Sequence, residues 1–209
     1  MLWTPRKGVQ RVEHNTGAVG TATPGTSVTT GSTSSTKTAT PVVLIASTSF
    51  EAYWITVIAS DYGNTATACQ GCIDIMIGGS GAEVVLIPDL LMGYCGLANA
   101  AGPGPKRWDF PLYIPKGARL TARAAGARTS TAMRVWVFLY GGCGVPGGRV
   151  GTLVTTYGMG TVPGGTSITG IGDGAEGTSW NEITATTGKD HFCVVPSFQP
   201  TADTSLSNL

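Results

Sequence analysis

Three blocks of this sequence occur twice, in the same order and at almost the same spacing. Gly25-Thr26-Ser27-Val28-Thr29 recurs as Gly165-Thr166-Ser167-Ile168-Thr169, and Ala46-Ser47-Thr48 as Ala185-Thr186-Thr187. More loosely, Trp54-Ile55-Thr56-Val57 recurs as Phe192-Cys193-Val194-Val195. The offsets are 140, 139 and 138 residues. A nearly constant offset is the signature of one module copied in tandem. The second copy reaches only Leu209, short of the residues it would need to complete a core. A half-module of this kind must add to the first module, dock on a neighbouring chain, or belong to a longer protein.

Local patterns define what the module is. From Pro41 onward the chain reads as short β-type runs. Val42–Ala46 is apolar and β-branched, and Tyr53–Ala59 alternates, with Tyr53, Ile55 and Val57 on one face and Trp54, Thr56 and Ile58 on the other. Ile73, Ile75 and Ile77 share a face, and a Gly-rich loop at 78–81 joins them to the strand Glu83–Ile87 as a hairpin. Pro88–Gly93 is expected to form one helical turn closed by Gly93. Pro111 suits an edge strand or a bulge, and Ile114–Gly117 reads as a type I turn. Met133, Val135, Val137 and Leu139 face one way in the strongest strand, while Arg134, Trp136, Phe138 and Tyr140 face the other. Apolar residues on both faces predict cover on both sides.

Seven or eight such strands over 41–142, with turns every 8–12 residues, predict an all-β protein, a jelly-roll-like β-sandwich. The expected organisation has three parts. Residues 1–40 form an N-terminal arm and linker, in which 13 of the 22 residues from 19 to 40 are Ser or Thr. Residues 41–145 form the sandwich. Residues 146–209 form the partial repeat, docked on the sandwich or on a neighbouring subunit. Trp108, Trp136, Phe138, Tyr140 and Phe192 are the candidate interface residues. Trp3, Arg6, Lys7 and Arg11 are the candidate anchoring arm.

Only 12% of the residues are charged, against about 25% in ordinary domains. So sparse a charge suggests a surface covered by other subunits, or one solvated by neutral Thr and Ser side chains. A net charge of +1 argues against a nucleic-acid partner, which would call for a basic patch or stripe. The charge is unevenly divided. Residues up to Arg149 carry 12 basic and 7 acidic side chains, whereas the remainder carries Lys189 against 5 acidic ones. Opposite halves of neighbouring copies could attract.

No run approaches the length of a membrane span, and Met1–Lys7 is not followed by the apolar run of a signal peptide. The expectation is therefore a soluble chain with reduced thiols, with no membrane partner. Cys69-Gln70-Gly71-Cys72 is a single CxxC leading into a strand. It lacks both the second pair of a zinc site and the helical setting of a redox motif. No metal or cofactor is expected, although Cys95 and Cys143 are in principle available as further ligands. Cys193 brings the cysteines to 5, an odd number that leaves room for an intermolecular disulfide. No nucleophile elbow, phosphate loop or zinc-protease motif occurs. Of the two histidines, His14 lies in the arm and His191 in the partial repeat beside Asp190, and His191 and Asp190 read as solvated turn residues. Glu83 and Asp89 bracket a strand but form no more specific a carboxylate pair than many others.

The run Phe110-Pro111-Leu112-Tyr113-Ile114-Pro115-Lys116-Gly117-Ala118-Arg119-Leu120-Thr121-Ala122-Arg123 resembles structural proteins of tailed bacteriophages. So does Ile73–Gly78 followed by Glu83–Leu91. The resemblance, over about residues 40–142, implies a virion protein built of tandem β-sandwich modules, a head decoration, head fibre or tail part. It implies a non-enzymatic homo-oligomer, a trimer, whose other partners are virion proteins. A carbohydrate-binding receptor module is the alternative, with Tyr94, Trp108, Tyr113 and Trp136 as platforms for a surface glycan. A polysaccharide hydrolase is a third reading.

Overall fold

The computed structural model describes residues 11–15, 25–60, 69–95, 105–142, 149–159, 165–166 and 181–197, with the side chains of 69–70 and 93–95 outside that description. Nine strands are present among these residues and no helix. They are β1 (Arg11–His14), β2 (Thr26–Thr29), β3 (Val42–Ile45), β4 (Trp54–Ser60), β5 (Cys69–Ile77), β6 (Val84–Cys95), β7 (Lys106–Phe110), β8 (Leu120–Gly126) and β9 (Ala132–Gly141). They form two antiparallel sheets. One runs β1-β9-β4-β7, with β2 also on β9, and the other runs β3-β8-β5-β6. The chain is an all-β sandwich. Its pairings are nested: β2 with β9, β3 with β8, β4 with β7, β5 with β6. One long hairpin folded over on itself gives this order.

The core forms where inward alternation from the two sheets meets. Ile55 and Val57 of β4, Ile73 and Ile75 of β5, Leu120 and Ala122 of β8, and Met133, Val135, Val137 and Leu139 of β9 are all fully buried. Each large aliphatic side chain removed from water contributes about 1.5–3 kcal/mol. The expected faces of β4 and β9 are therefore the observed ones. The hairpin through 78–83 also forms, with Ile77 opposite Val84.

The segment before Pro41 is a correction to the three-part organisation. Its described part is woven into the sandwich. β1 pairs with Phe138–Gly141 and β2 with Ala132–Val135, so the two share one side of β9. Between them, buried Asn15 replaces the ladder. Its amide donates to the Val135 carbonyl at 3.0 Å and its carbonyl oxygen accepts from the Val137 N–H at 2.6 Å. The Ser/Thr-rich stretch is likewise tied down, with Ser35 and Thr38 N–H groups donating to the Gly126 and Ala124 carbonyls at 2.7 and 3.0 Å. Its polar groups find β8 backbone as partner, which composition alone does not show. Trp3, Arg6 and Lys7 lie outside the described residues, as do Cys143 and the segment 143–148.

Two local expectations change. Pro88–Gly93 is not a helical turn but part of β6. Ile73 faces Leu90 while Ile75 faces Ile87, so one extra residue sits on β6 as a bulge, and Asp89 takes φ 54°. The turn after Ile114 is shifted by one residue. Ala118 N–H donates to the Pro115 carbonyl at 3.3 Å, and Gly117, with φ 81°, is its third residue. A positive φ there makes a type II turn.

Candidate interaction surfaces

The partial repeat is where the structure and the expectation of an incomplete module meet. Its first part docks on the sandwich. Gly151 N–H donates to the Pro111 carbonyl at 2.8 Å and its carbonyl accepts from Tyr113 N–H at 2.9 Å. Val154 N–H donates to the Leu86 carbonyl at 2.9 Å, and the Thr156 hydroxyl to that of Pro88 at 2.8 Å. Pro111 follows β7 and Leu86 lies on β6, the edge strands of the two sheets. The segment 149–156 thus stitches one sheet edge to the other.

Residues 181–197 are different: every one is exposed, and none is in a strand. The sequence there is still apolar at intervals, with Ile183 52%, Phe192 47%, Val194 82% and Val195 38% exposed. Trp54–Val57, to which Phe192–Val195 corresponds, lies in β4 with a paired strand on either side. Among the described residues Phe192–Val195 has none, and a strand forms only where its N–H and C=O groups find a partner. The described parts of the second copy therefore share sequence with the first but not its strands. Residues 167–180, which include most of the first repeated block, lie outside the described residues. Cys193 is exposed and free. His191 contacts the Tyr157 hydroxyl at 2.9 Å rather than Asp190.

Of the other candidate interface residues, Trp108 is a correction. It lies on the inward side of β7, 5% exposed, within the core. Its alternation partners in β7 are the outward Arg107 and Asp109. Trp136, Phe138 and Tyr140 do face outward on β9, and the register sets Ile58, Thr56 and Trp54 beside them in turn. His14 of β1 adds a ring 5.6 Å from Phe138. Trp136 is partly closed over by its own chain, since a Cβ at Gly25 would fall 2.7 Å from the indole. Asp109 anchors this face. It receives Arg107 Nε at 2.8 Å and Trp54 Nε1 at 3.3 Å, together with the Thr56 hydroxyl. Burial works to raise its carboxyl, but Arg107 and these hydrogen bonds hold it below the usual carboxylate range.

Sheet β3-β8-β5-β6 carries a buried ionic cluster on its outer face that the sequence did not reveal. Lys37 pairs with Asp74 and, at 2.9 Å, with Asp89. Arg123 Nε reaches the other oxygen of Asp74 at 2.8 Å. The β6 bulge completes it, because Asp89 N–H, turned out of the ladder, donates to Asp74 at 2.9 Å. Burial opposes the charge on Asp74, yet Lys37, the Asp89 N–H and Arg123 together hold its carboxyl below the ordinary value. Burial likewise opposes the charge on Lys37, but Cys72, Asp74 and Asp89 leave its pKa raised. Burial pushes the neighbouring Cys72 thiol up to about 11, only partly offset by Lys37, so it is an inert thiol at neutral pH. The backbone register places the other CxxC residue, Cys69, opposite Cys95. Glu83 does not join Asp89 but pairs with Arg119. Among the described residues, no group of three His, Cys, Asp or Glu side chains is placed to hold a metal ion.

A third feature lies at one end of the sandwich, where β1, the segment entering β4, the Pro115–Ala118 turn and the end of β9 converge. Arg11, Phe50, Glu51, Tyr53, Lys116 and Gly142 line an open cleft of about 500 Å³. Arg11 thus belongs to a strand and a cleft rather than to a free arm. No protein-family model matches the chain, and neither does a curated protein or a solved structure.

Proposed function

We propose that this chain is a self-associating structural protein, a virion component of a tailed phage of the capsid-decoration or head-fibre kind, acting through contacts between subunits. One observation carries the reading: residues 181–197 are exposed throughout yet hold Ile183, Phe192, Val194 and Val195. An exposed apolar segment whose backbone finds no strand partner among the described residues is a template for another chain. The occupant proposed is a second copy. Edge strands β1, β3 and β6 each present an exposed valine, Val12, Val43 and Val84. The residues up to Arg149 carry net positive charge and those after it net negative charge, so the two unequal halves of neighbouring copies are complementary in sign. A closed homo-trimer is the expected state. The aromatics Trp108 and Trp136 do not favour a glycan receptor, since the first is core and the second is partly covered.

The test is light scattering coupled to size exclusion on the full chain. The wild type is expected to be oligomeric at about 100 μM. Phe192→Ser combined with Val194→Asp should yield a folded monomer with an unchanged β spectrum. A wild-type monomer at that concentration sinks the reading. Virion placement is tested by imaging particles assembled with labelled chain, and particles without label refute it.

A further inference from the structure

The cleft beside Glu51 is built rather than incidental. Its floor is buried Phe50, and the backbone behind it leaves no room for a side chain on β9. A Cβ at Gly141 would fall 2.4 Å from the Glu51 carbonyl oxygen and 2.5 Å from the Phe50 ring. Gly142, with φ 86°, then turns the chain along the cleft wall. The Glu51 carboxylate is fixed from two sides. The Tyr53 hydroxyl donates to one oxygen at 3.1 Å and the Tyr113 hydroxyl to the other at 3.3 Å, with ring centroids 5.7 Å apart. The Tyr53 hydroxyl is held protonated by its hydrogen bond to Glu51 and the charge beside it, and that of Tyr113 by desolvation and the same charge. Both remain donors through neutral pH.

The cations of the cleft are not satisfied in this way. Arg11 and Lys116 make no ion pair and no side-chain hydrogen bond among the described residues. Two unpaired cations, one oriented carboxylate with a lone pair still free on each oxygen, and a tyrosine ring therefore share one opening. The opening has the volume of a small-molecule site.

We infer that this cleft binds a saccharide unit bearing a carboxylate, of the uronic-acid or sialic-acid class. The sugar carboxylate is held by Arg11 and Lys116, the guanidinium offering a paired donor edge. Ring hydroxyls donate to Glu51. The apolar face of the pyranose lies on Tyr53. A bare anion such as phosphate uses only the cations and is repelled by Glu51. An acidic peptide lacks both the hydroxyl donors and the flat ring face.

The experiment is an NMR titration of the full chain with glucuronate, glucose, inorganic phosphate and a peptide of residues 181–197. Glucuronate should bind with a millimolar Kd and glucose about tenfold more weakly. Lys116→Ala, on an exposed turn, should weaken glucuronate about fivefold or more without moving the melting temperature, and Arg11→Ala should do likewise. Glu51→Gln separates the sugar from a simple anion, because it should weaken glucuronate and strengthen phosphate. Any one of four results overturns the inference: no saturation below about 50 mM; equal binding of glucose; phosphate equal to glucuronate and both strengthened in Glu51→Gln; or the peptide bound more tightly than glucuronate. The oligomeric state plays no part in these outcomes, so failure here and failure of the assembly reading are distinguishable.

Discussion

Replacing Lys37 with Met should destabilise the sandwich far more than an ordinary surface lysine would. The change removes one cation from two carboxylates, of which Asp74 has a side chain only 4% exposed and Asp89 one 22% exposed. Breaking a buried pair from one side costs about 3–5 kcal/mol when the remaining charge is left alone. Asp74 is not left alone, since Arg123 and the Asp89 N–H still reach it at 2.8 and 2.9 Å. The expected loss at pH 7 is therefore about 2–3 kcal/mol, or roughly 4–12 °C in melting temperature for a chain of this size. The sign of the pH dependence follows from the depressed carboxyl of Asp74. Its contribution is present above the unfolded value, about 3.9, and is lost as pH falls through the lower folded value. The gap between wild type and variant should thus narrow below about pH 4. The raised pKa of Lys37 works at the other end: its contribution holds below about 10.4 and disappears as pH rises through the higher folded value. Urea unfolding at pH 7, 5 and 3 measures this directly. A loss below about 0.5 kcal/mol at pH 7, or one that stays constant to pH 3, would refute the reasoning. Adding Asp74→Asn to Lys37→Met should recover part of the loss.

Asn15→Ala strands the Val137 N–H and Val135 carbonyl that Asn15 now satisfies, and chemical denaturation should show a loss of about 2–3 kcal/mol. Asn15→Asp sets a buried carboxylate against that carbonyl, so its folded pKa lies above the unfolded value. Stability should then fall as pH rises from about 3 to 7, and a flat profile would count against the assigned geometry. Gly25→Ala brings a Cβ to 2.7 Å from the Trp136 indole at a φ of 87°. It should cost about 1–3 kcal/mol and alter tryptophan fluorescence, whereas an unchanged melt would show that the indole does not rest on this glycine.

Much of the sandwich was legible because inward alternation is a two-residue signal. It gave the faces of β4 and β9 from Ile55 and Val135 outward. Trp108 escaped because β7 is short, Lys106–Phe110, and an aromatic beside Arg107 and Asp109 reads as surface. Its burial is set by pairing with Val57, a contact 51 residues away in sequence. The bulge at Asp89 was missed for a related reason. Pro88-Asp89 before an apolar run mimics a helix start, and only register against Ile73 and Ile75 reveals an extra residue. Strand character in the Ser/Thr stretch was hidden because Thr26–Thr29 and Asn15 are stabilised by β9 rather than by their own periodicity. The ionic cluster joins residues from four separate segments, so no local motif could announce it. The cleft lay partly within view: Lys116-Gly117 was visible as a turn, but that it meets Glu51 and the end of β9 is a property of the tertiary fold.

The energetics of the extension bear on how copies would join. Ile183, Phe192, Val194 and Val195 are between 38% and 82% exposed, so covering them fully yields about 3–7 kcal/mol in all at the usual value per side chain. Association of two bodies costs about 4–15 kcal/mol before any contact is counted. One extension on one neighbour is therefore marginal. Reciprocal exchange changes the balance, because each further contact in a closed ring is made between bodies already held together. In the proposed assembly the stitch at 149–156 would serve the same end. By fixing Gly151 to Pro111 and Val154 to Leu86, it sets the point from which each extension departs and spares the contact part of the entropy of a free tether. An isolated pair of these chains should accordingly be far weaker than the ring, and dilution should carry the ring to monomers with little dimer between.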